Sequence, residues 1–373
     1  MTEIRAAICN AFGEPLSVET LTLRAPGPGE VEVTLDACAI CHSDISYAEG
    51  AWGGDLPAVY GHEAAGRVSA VGPGAARVKP GDAVLVTLIR SCGQCGPCAG
   101  GHPTRCAAQP GVAPALTRPD GSTVAQGLNC AAFAERVVVG ESQIAPLPDG
   151  IPMEAASLLS CGVITGLGAA VNTAQVRPGE VVVVIGAGGV GLNAIQGARL
   201  AGAARVVAID RSAEKLEAAR DFGATDGILA DIPKPWSELR KIAGRMADAV
   251  LVTVGAIPAY DSAPRFLAPG GRMVAVGMPH SGATSAYEPV ILAATGQSLT
   301  GSYMGDVVLA RDIPWIADLY RQGRLKLDEL ISGRWTLDQI NEAIADTKGG
   351  AARRNVILFR ARAGGTKDEA ERP

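Results

Sequence analysis

Residues 181–191, VVVVIGAGGVG, limit the folds open to this chain more than any other stretch. A run of apolar, mostly β-branched residues with no polar position suits a strand buried on both faces, as in parallel sheets covered by helices. The run breaks into Gly186-Ala187-Gly188-Gly189-Val190-Gly191, a G-x-G-x-x-G pattern, and then into GVGLNAIQGARLAGA, which reads as a helix. Strand, glycine turn and helix together are the context this pattern requires. The glycines let the backbone turn tightly and approach a pyrophosphate, and the helix N-terminus offers free N–H groups and a partial positive charge. Asp210 ends the next strand-like run, RVVAID, where a carboxylate accepts from the adenosine ribose hydroxyls and repels a 2′-phosphate, favouring NAD over NADP. Arg211 has the opposite tendency, since an arginine accommodates that phosphate, and Lys215 is within reach of a ribose hydroxyl. The competing interpretation is a glycine-rich packing turn followed by a surface aspartate. It leaves the alignment of strand, glycines, helix and acid to coincidence.

Strand-like and helix-like runs go on alternating through SAEKLEAARDFGA, ADAVLVTVGA and GGRMVAVGM, which predicts a doubly wound parallel sheet. Before about residue 160 the text differs. Short runs such as VEVTLDAC, GHEAAGRVSAVG, DAVLVTLI and FAERVVV are separated by turns such as APGPGE and VKPGD, predicting a small, barrel-like antiparallel unit. After about residue 305 come amphipathic stretches (WIADLYRQGRL, LDQINEAIADT), the strand-like RNVILF and a polar tail, ARAGGTKDEAERP, expected to be loose. At 373 residues the chain has room for two cores.

Nine cysteines would suggest disulfides in a secreted protein, but nine is odd and the N-terminus has no apolar core of a secretory signal. Cys92, Cys95, Cys98 and Cys106 sit in SCGQCGPCAGGHPTRC, spaced C-x2-C-x2-C-x7-C. Four thiolates that close enclose a tetrahedral zinc with no open position, so this site holds a loop. A reducing cytoplasm fits such thiolates best. A second set, Cys41, His62, Glu63 and Cys161, is scattered along the chain as an open, catalytic set would be. No spacing rule makes these residues converge, and buried structural cysteines are the alternative, retained for Cys9, Cys38 and Cys130. A net charge of −5 without basic stripes gives no reason to expect nucleic acid or an anionic membrane as partner.

Cys41-His42-Ser43-Asp44, Gly61-His62-Glu63, the four-cysteine loop, Ser160-Cys161-Gly162, the glycine motif and Arg354 occur in one order over nearly the whole length. In this the chain resembles the zinc-containing alcohol dehydrogenases of the medium-chain dehydrogenase/reductase superfamily. The resemblance implies an α/β protein with a GroES-like β-rich catalytic domain (1–162 and 305–373) and a Rossmann NAD-binding domain (163–304). It implies two zinc ions per chain, one held by Cys41, His62 and Cys161 with Glu63 as an alternating ligand, the other by the four-cysteine loop. Asp44 would orient His62. His42 and Arg354 would meet the cofactor phosphates, Thr165 the nicotinamide side, and the backbone near Val254 and Val276 the nicotinamide portion. Ser43 would take the proton of an alcohol as its hydride passes to NAD, with the ribose hydroxyl, a water or His42 completing the relay, because the histidine that ends it in many relatives is here Ser46.

The same likeness admits polyol dehydrogenases and thiol-linked formaldehyde dehydrogenases, and it implies a homodimer or homotetramer acting on a small alcohol or aldehyde. Pairing would use the edge around YEPVILAATGQSLTGSYM. Trp52, Leu88, Phe133, Val163 and Met304 are candidate pocket walls, each equally suited to the core.

Overall fold

The run at 181 forms the strand Val181–Ile185, with all five residues buried, near the middle of a six-stranded sheet. The computed structural model describes residues 1–108 and 113–359, so the polar tail lies outside the described residues. Every pairing in this sheet is parallel. From edge to edge its strands are Asp226–Leu229, Arg205–Asp210, Val181–Ile185, Ala247–Val252, Leu267–Ala275 and Ser298–Gly301. Numbered within the sheet, that order is 3-2-1-4-5-6, the Rossmann arrangement. It explains the unbroken apolar run. Val182 and Val184 enter one hydrophobic core, whereas Val181, Val183 and Ile185 enter a second beneath the other face. The order reverses between Val181–Ile185 and Ala247–Val252, and ligands of such sheets bind outside the carboxyl ends of those strands.

The β-rich part is larger than the sequence pattern implies. Thr2–Cys9, Ser17–Leu23, Leu116–Thr117, Thr123–Gln126 and Ala58–Val59 close a barrel, and a separate seven-stranded sheet stands beside it. The long strand Glu30–Ala39 organises that sheet, pairing with Glu63–Val71, Arg136–Gly140 and Arg354–Leu358. The last of these comes from the far end of the chain and is joined by Ile331–Trp335. Period-2 alternation reports which face of a strand is buried but not which strand lies beside it, so the split into two sheets has no local signature.

None of the nine cysteines is in a disulfide. No helix among the described residues is long and apolar enough to cross a membrane.

Candidate metal centres and cofactor crevice

Three local structures bring the first cluster together. Cys41 is the N-cap of the helix His42–Ala48, and the Asp44 carboxylate turns back to accept from the Cys41 amide at 2.9 Å. His62 immediately precedes the strand Glu63–Val71, which Glu63 opens. Gly61 before them has φ +91°, and a Cβ there would lie 2.5 Å from the Phe133 nitrogen, so this entry admits only glycine. Cys161 is the N-cap of the helix Gly162–Gly168. As a result Cys41, His62, Glu63 and Cys161, all buried, hold their ligand atoms within 4.8 Å of one another.

The donor set fits a zinc ion. Asp44 Oδ1 is 2.9 Å from His62 Nδ1, which directs the other ring nitrogen, Nε2, away from Asp44. Nε2 is buried without a hydrogen-bond partner, as is Glu63 Oε2, while Glu63 Oε1 has an ion pair with Arg354 but no well-aligned hydrogen bond. Two sulfurs, an imidazole nitrogen and a carboxylate gathered out of water are a donor set suited to zinc. The protons respond to this crowding. A bond from the Cys161 thiol, then His62, holds the Cys41 thiol well below its usual range against the effect of burial, while Cys161 is driven up. Burial opposes the charged imidazole, but Asp44 raises His62 well above its ordinary value. Burial lifts Glu63 to about 7 in spite of Arg354.

Cys92, Cys95, Cys98 and Cys106 form the other group of four, again within 4.8 Å. Here the backbone supplies the fit. The amides of Gln94 and Cys95 donate to Cys92 Sγ at 3.4 and 3.3 Å, and the Cys92 amide donates to Cys106 Sγ at 3.3 Å. Backbone N–H groups of Cys98 and Ala107 lower Cys95 to about 6. Amides aimed at sulfur stabilise thiolate, the form that binds metal.

Arg354 links the first cluster to the glycine turn. Its Nη1 is 3.2 Å from Glu63 Oε1 inside the protein. A Cβ on Gly162 would fall 1.7 Å from its Nη2, and one on Gly189 2.6 Å from its Nε, so the guanidinium threads between two glycines. Gly186 has φ +100°, and a Cβ on Gly191 would sit 1.8 Å from the Gly186 carbonyl, which keeps helix and strand in close contact. Gly188 caps the helix Gly189–Leu200, with Val190 in its first turn. His42 lies exposed at its own helix start. Desolvation on its inner side lowers its pKa; Cys41 opposes this, and Arg354 and Lys215 add to it. Arg354, which meets the glycine turn at Gly189, thus has two further cationic or potentially cationic groups, His42 and Lys215, near enough to be felt.

Asp210 accepts from the Ala187 amide at 2.8 Å and the Ser212 amide at 3.0 Å, one to each oxygen. Each oxygen keeps a lone pair for a ribose hydroxyl. Arg211 turns away to Asp231, 3.0 Å distant. Thr165 Oγ1 is 3.9 Å from Cys161 Sγ, and Ser43 Oγ is 3.7 Å from Cys41 Sγ. The Val276 amide bonds the Val252 carbonyl at 3.0 Å, and Val254 packs where a Cβ on Gly186 would strike it at 2.4 Å.

The candidate pocket walls divide. Phe133 and Val163 are fully buried among core side chains, because an apolar residue type does not distinguish core from cleft. Leu88 is buried as well. Met304 reaches the cluster, its Sδ 3.7 Å from Cys161 Sγ, and Trp52 donates to the Pro279 carbonyl at 3.2 Å. Two aromatic residues that no sequence pattern singles out pack in this region. Tyr47 lies between Trp52 and Tyr60, with ring centroids 5.0 and 6.0 Å away. Burial, then the charges of Cys161 and Tyr47, pushes the Tyr303 phenol to about 12.

Comparison with known proteins agrees with this geometry. A family profile described as "Alcohol dehydrogenase GroES-like domain" matches residues 27–149, and one described as "Zinc-binding dehydrogenase" matches 189–321. The chain is 34% identical to the NDMA-dependent alcohol dehydrogenase of Amycolatopsis methanolica, over 96% of this chain and 99% of that protein. Among solved structures, an alcohol dehydrogenase zinc-binding domain protein from Burkholderia ambifaria superposes with TM-score 0.92 at 32% identity, covering 96% of this chain and all of that one. Benzyl alcohol dehydrogenase from Acinetobacter calcoaceticus superposes with TM-score 0.91 at 28% identity and the same coverage.

Proposed function

The chain belongs to the zinc-containing alcohol dehydrogenases of the medium-chain dehydrogenase/reductase superfamily, and from that premise we propose that it interconverts a small alcohol and its aldehyde or ketone with NAD. The observation that carries this reading is the buried Cys41–His62–Glu63–Cys161 cluster, tied through Arg354 to a glycine-rich turn at the crevice of a Rossmann sheet. Cys41, His62 and Cys161, with Glu63 alternating, would hold the catalytic zinc, and the four-cysteine loop a second. Zinc would supply Lewis acidity toward the alcohol oxygen and NAD would accept the hydride.

The chain's own residues do the rest. Asp44 fixes the His62 ring so that Nε2 faces the two sulfurs. Ser43, beside Cys41, takes the proton of the alcohol, and the exposed His42 ring next to it offers a route to solvent. Arg354 balances the Glu63 carboxylate and, with His42 and Lys215, makes the crevice attractive to a pyrophosphate. Gly186, Gly188, Gly189 and Gly191 let the dinucleotide approach the helix start near Val190. Thr165, Val254 and Val276 would face the nicotinamide. Asp210 favours NAD, while Arg211, in a largely exposed pair with Asp231, can still exchange partners.

We assign 1–162 and 305–373 to the catalytic unit and 163–304 to the NAD unit. Strands from both ends of the chain in one seven-stranded sheet support the division. A homodimer formed along the edge strand Ser298–Gly301 accounts for four exposed residues on that strand and for the neighbouring helix Pro289–Thr295, which buries none of its own. Free cysteines throughout support a cytoplasmic enzyme. Reduction of NAD should be followed at the NADH absorbance with ethanol, benzyl alcohol and larger alcohols, alongside zinc analysis. The reading expects two zincs per chain and turnover abolished by Cys41→Ser. A protein replete with zinc that turns over no alcohol or aldehyde refutes it.

A further inference from the structure

Met304, Gly305 and Asp306 have φ values of 51°, 67° and 48°. Three successive left-handed residues, two of them not glycine, form a segment that surrounding structure must hold in place. One side of the clamp is the helix Gly162–Gly168, which starts at Cys161. A Cβ on Gly305 would lie 2.1 Å from the Ile164 carbonyl, one on Gly168 would lie 2.4 Å from the Gly305 carbonyl, and Asn172 Nδ2 donates to that same carbonyl at 3.1 Å. The other side comes from the four-cysteine loop. Arg105, in the turn Pro103–Arg105 just before Cys106, donates from Nη2 to Asp306 Oδ1 at 2.7 Å.

Proton accounting leaves Arg105 a distinct role. Thr173 donates to Asp306 Oδ2 at 2.7 Å, and its hydroxyl in turn accepts from Ser302 at 2.7 Å. Oδ1 is left to Arg105. The Asp306 side chain is only 7% exposed although Arg105 is half exposed. The pair therefore differs from an ordinary surface ion pair, because losing the arginine strands a mostly buried carboxylate oxygen. The turn ends at the cleft, where Met304 Sδ stands 3.7 Å from Cys161 Sγ and 3.8 Å from Thr165 Oγ1.

We propose that Arg105 is a positioning residue through which the metal-ordered four-cysteine loop holds the Met304–Asp306 turn, and with it the Met304 thioether, against the Cys161 side of the substrate cleft. The loop then serves the active site directly as well as stabilising its own fold. The assignment of Cys161 to a catalytic zinc site rests on the function proposed above, whereas the tether itself does not.

The test uses the full-length, zinc-loaded protein and its Arg105→Ala, Arg105→Met and Arg105→Lys variants. Hydrogen exchange of peptides covering residues 302–308 reads the turn whether or not the protein turns over alcohol. Exchange there should quicken in Arg105→Ala and Arg105→Met, while that of the strand Val181–Ile185 stays unchanged. The alcohol KM should rise roughly tenfold, a coupling typical of contacting residues, with the KM for NAD little changed. Because a single nitrogen of Arg105 meets Asp306, Arg105→Lys should restore both readouts. If Arg105→Ala also loses the loop zinc, Arg105→Met, which keeps the length of the side chain but cannot donate to Asp306, decides the matter once its zinc content is matched to wild type. Wild-type exchange at 302–308 in a zinc-loaded Arg105→Met overturns the tether. A wild-type enzyme inactive on every alcohol, with exchange nevertheless quickened in the variants, keeps the tether and sinks only the functional reading.

Discussion

Asp44→Asn should separate the two metal centres, and its size can be worked from the contacts. The Asp44 side chain is 1% exposed and receives three hydrogen bonds of 2.9 Å, from His62 Nδ1 and the Gly61 amide on Oδ1 and from the Cys41 amide on Oδ2. An asparagine keeps the shape but offers one acceptor oxygen. With that oxygen toward His62 and Gly61, its NH2 faces the Cys41 N–H, donor against donor. One buried amide then lacks a partner, at about 1–3 kcal/mol, and the bond to His62 loses its charge assistance. Partners that orient a metal-bound histidine are typically worth about 10–100-fold in metal affinity. Titration with a zinc chelator, followed by metal analysis, should show one zinc leaving the variant at about 10–100-fold lower chelator concentration than wild type. A zinc held by the four-cysteine loop, whose cysteines make no contact with Asp44, would serve as internal control. Equal chelator midpoints for both zincs in variant and wild type would show that Asp44 does not hold the ligand set together.

Three further outcomes follow from the same geometry. Asp210→Ala should raise the KM for NAD and narrow the preference over NADP, because it removes the carboxylate and leaves Arg211 nearby. A natural enzyme that already prefers NADP in steady-state assays contradicts the assignment. Gly162→Ala would set a Cβ 1.7 Å from Arg354 Nη2, and the displaced guanidinium should weaken NAD binding by fluorescence titration. Unchanged NAD affinity would mean Arg354 has no part in holding the cofactor. Glu30 gives a pH signature. Burial opposes its ionisation, but bonds from Arg24 and the Gly27 amide lower its pKa below the usual carboxylate value. Its contribution, about 1–3 kcal/mol for charge-assisted bonds, is therefore fully present above its unfolded pKa and lost as pH falls through the lower folded value. Urea midpoints of wild type and Glu30→Gln should differ at pH 7 and converge toward pH 3; a gap independent of pH rules out the ionic origin.

What the sequence discloses and what it hides divide along a physical line. The strand at Val181, the glycine turn after it and the thiolate loop were legible because each is a local pattern, a period or a spacing that short-range sterics translate directly into shape. The two faces of the six-stranded sheet could be anticipated from one apolar run, since parallel strands bury both sides. The sheet beside the barrel could not, because its membership depends on Arg354–Leu358 returning from the far end to pair with Ala37–Ala39. The same event explains two glycines. Gly162 and Gly189 lack side chains because the Arg354 guanidinium passes between them, and nothing within a few residues of either announces it. Arg105 and Asp306 are a similar case: an arginine beside a cysteine and an aspartate after a glycine have no shared pattern until the fold sets them 2.7 Å apart. Residue type alone leaves Phe133 and Val163 open between pocket wall and core, and the structure packs both among core side chains. Chemistry-bearing residues are thus readable where local geometry presents them. The residues that aim them arrive from elsewhere in the chain, and it is among these that an enzyme with familiar ligands would acquire its own substrate preference.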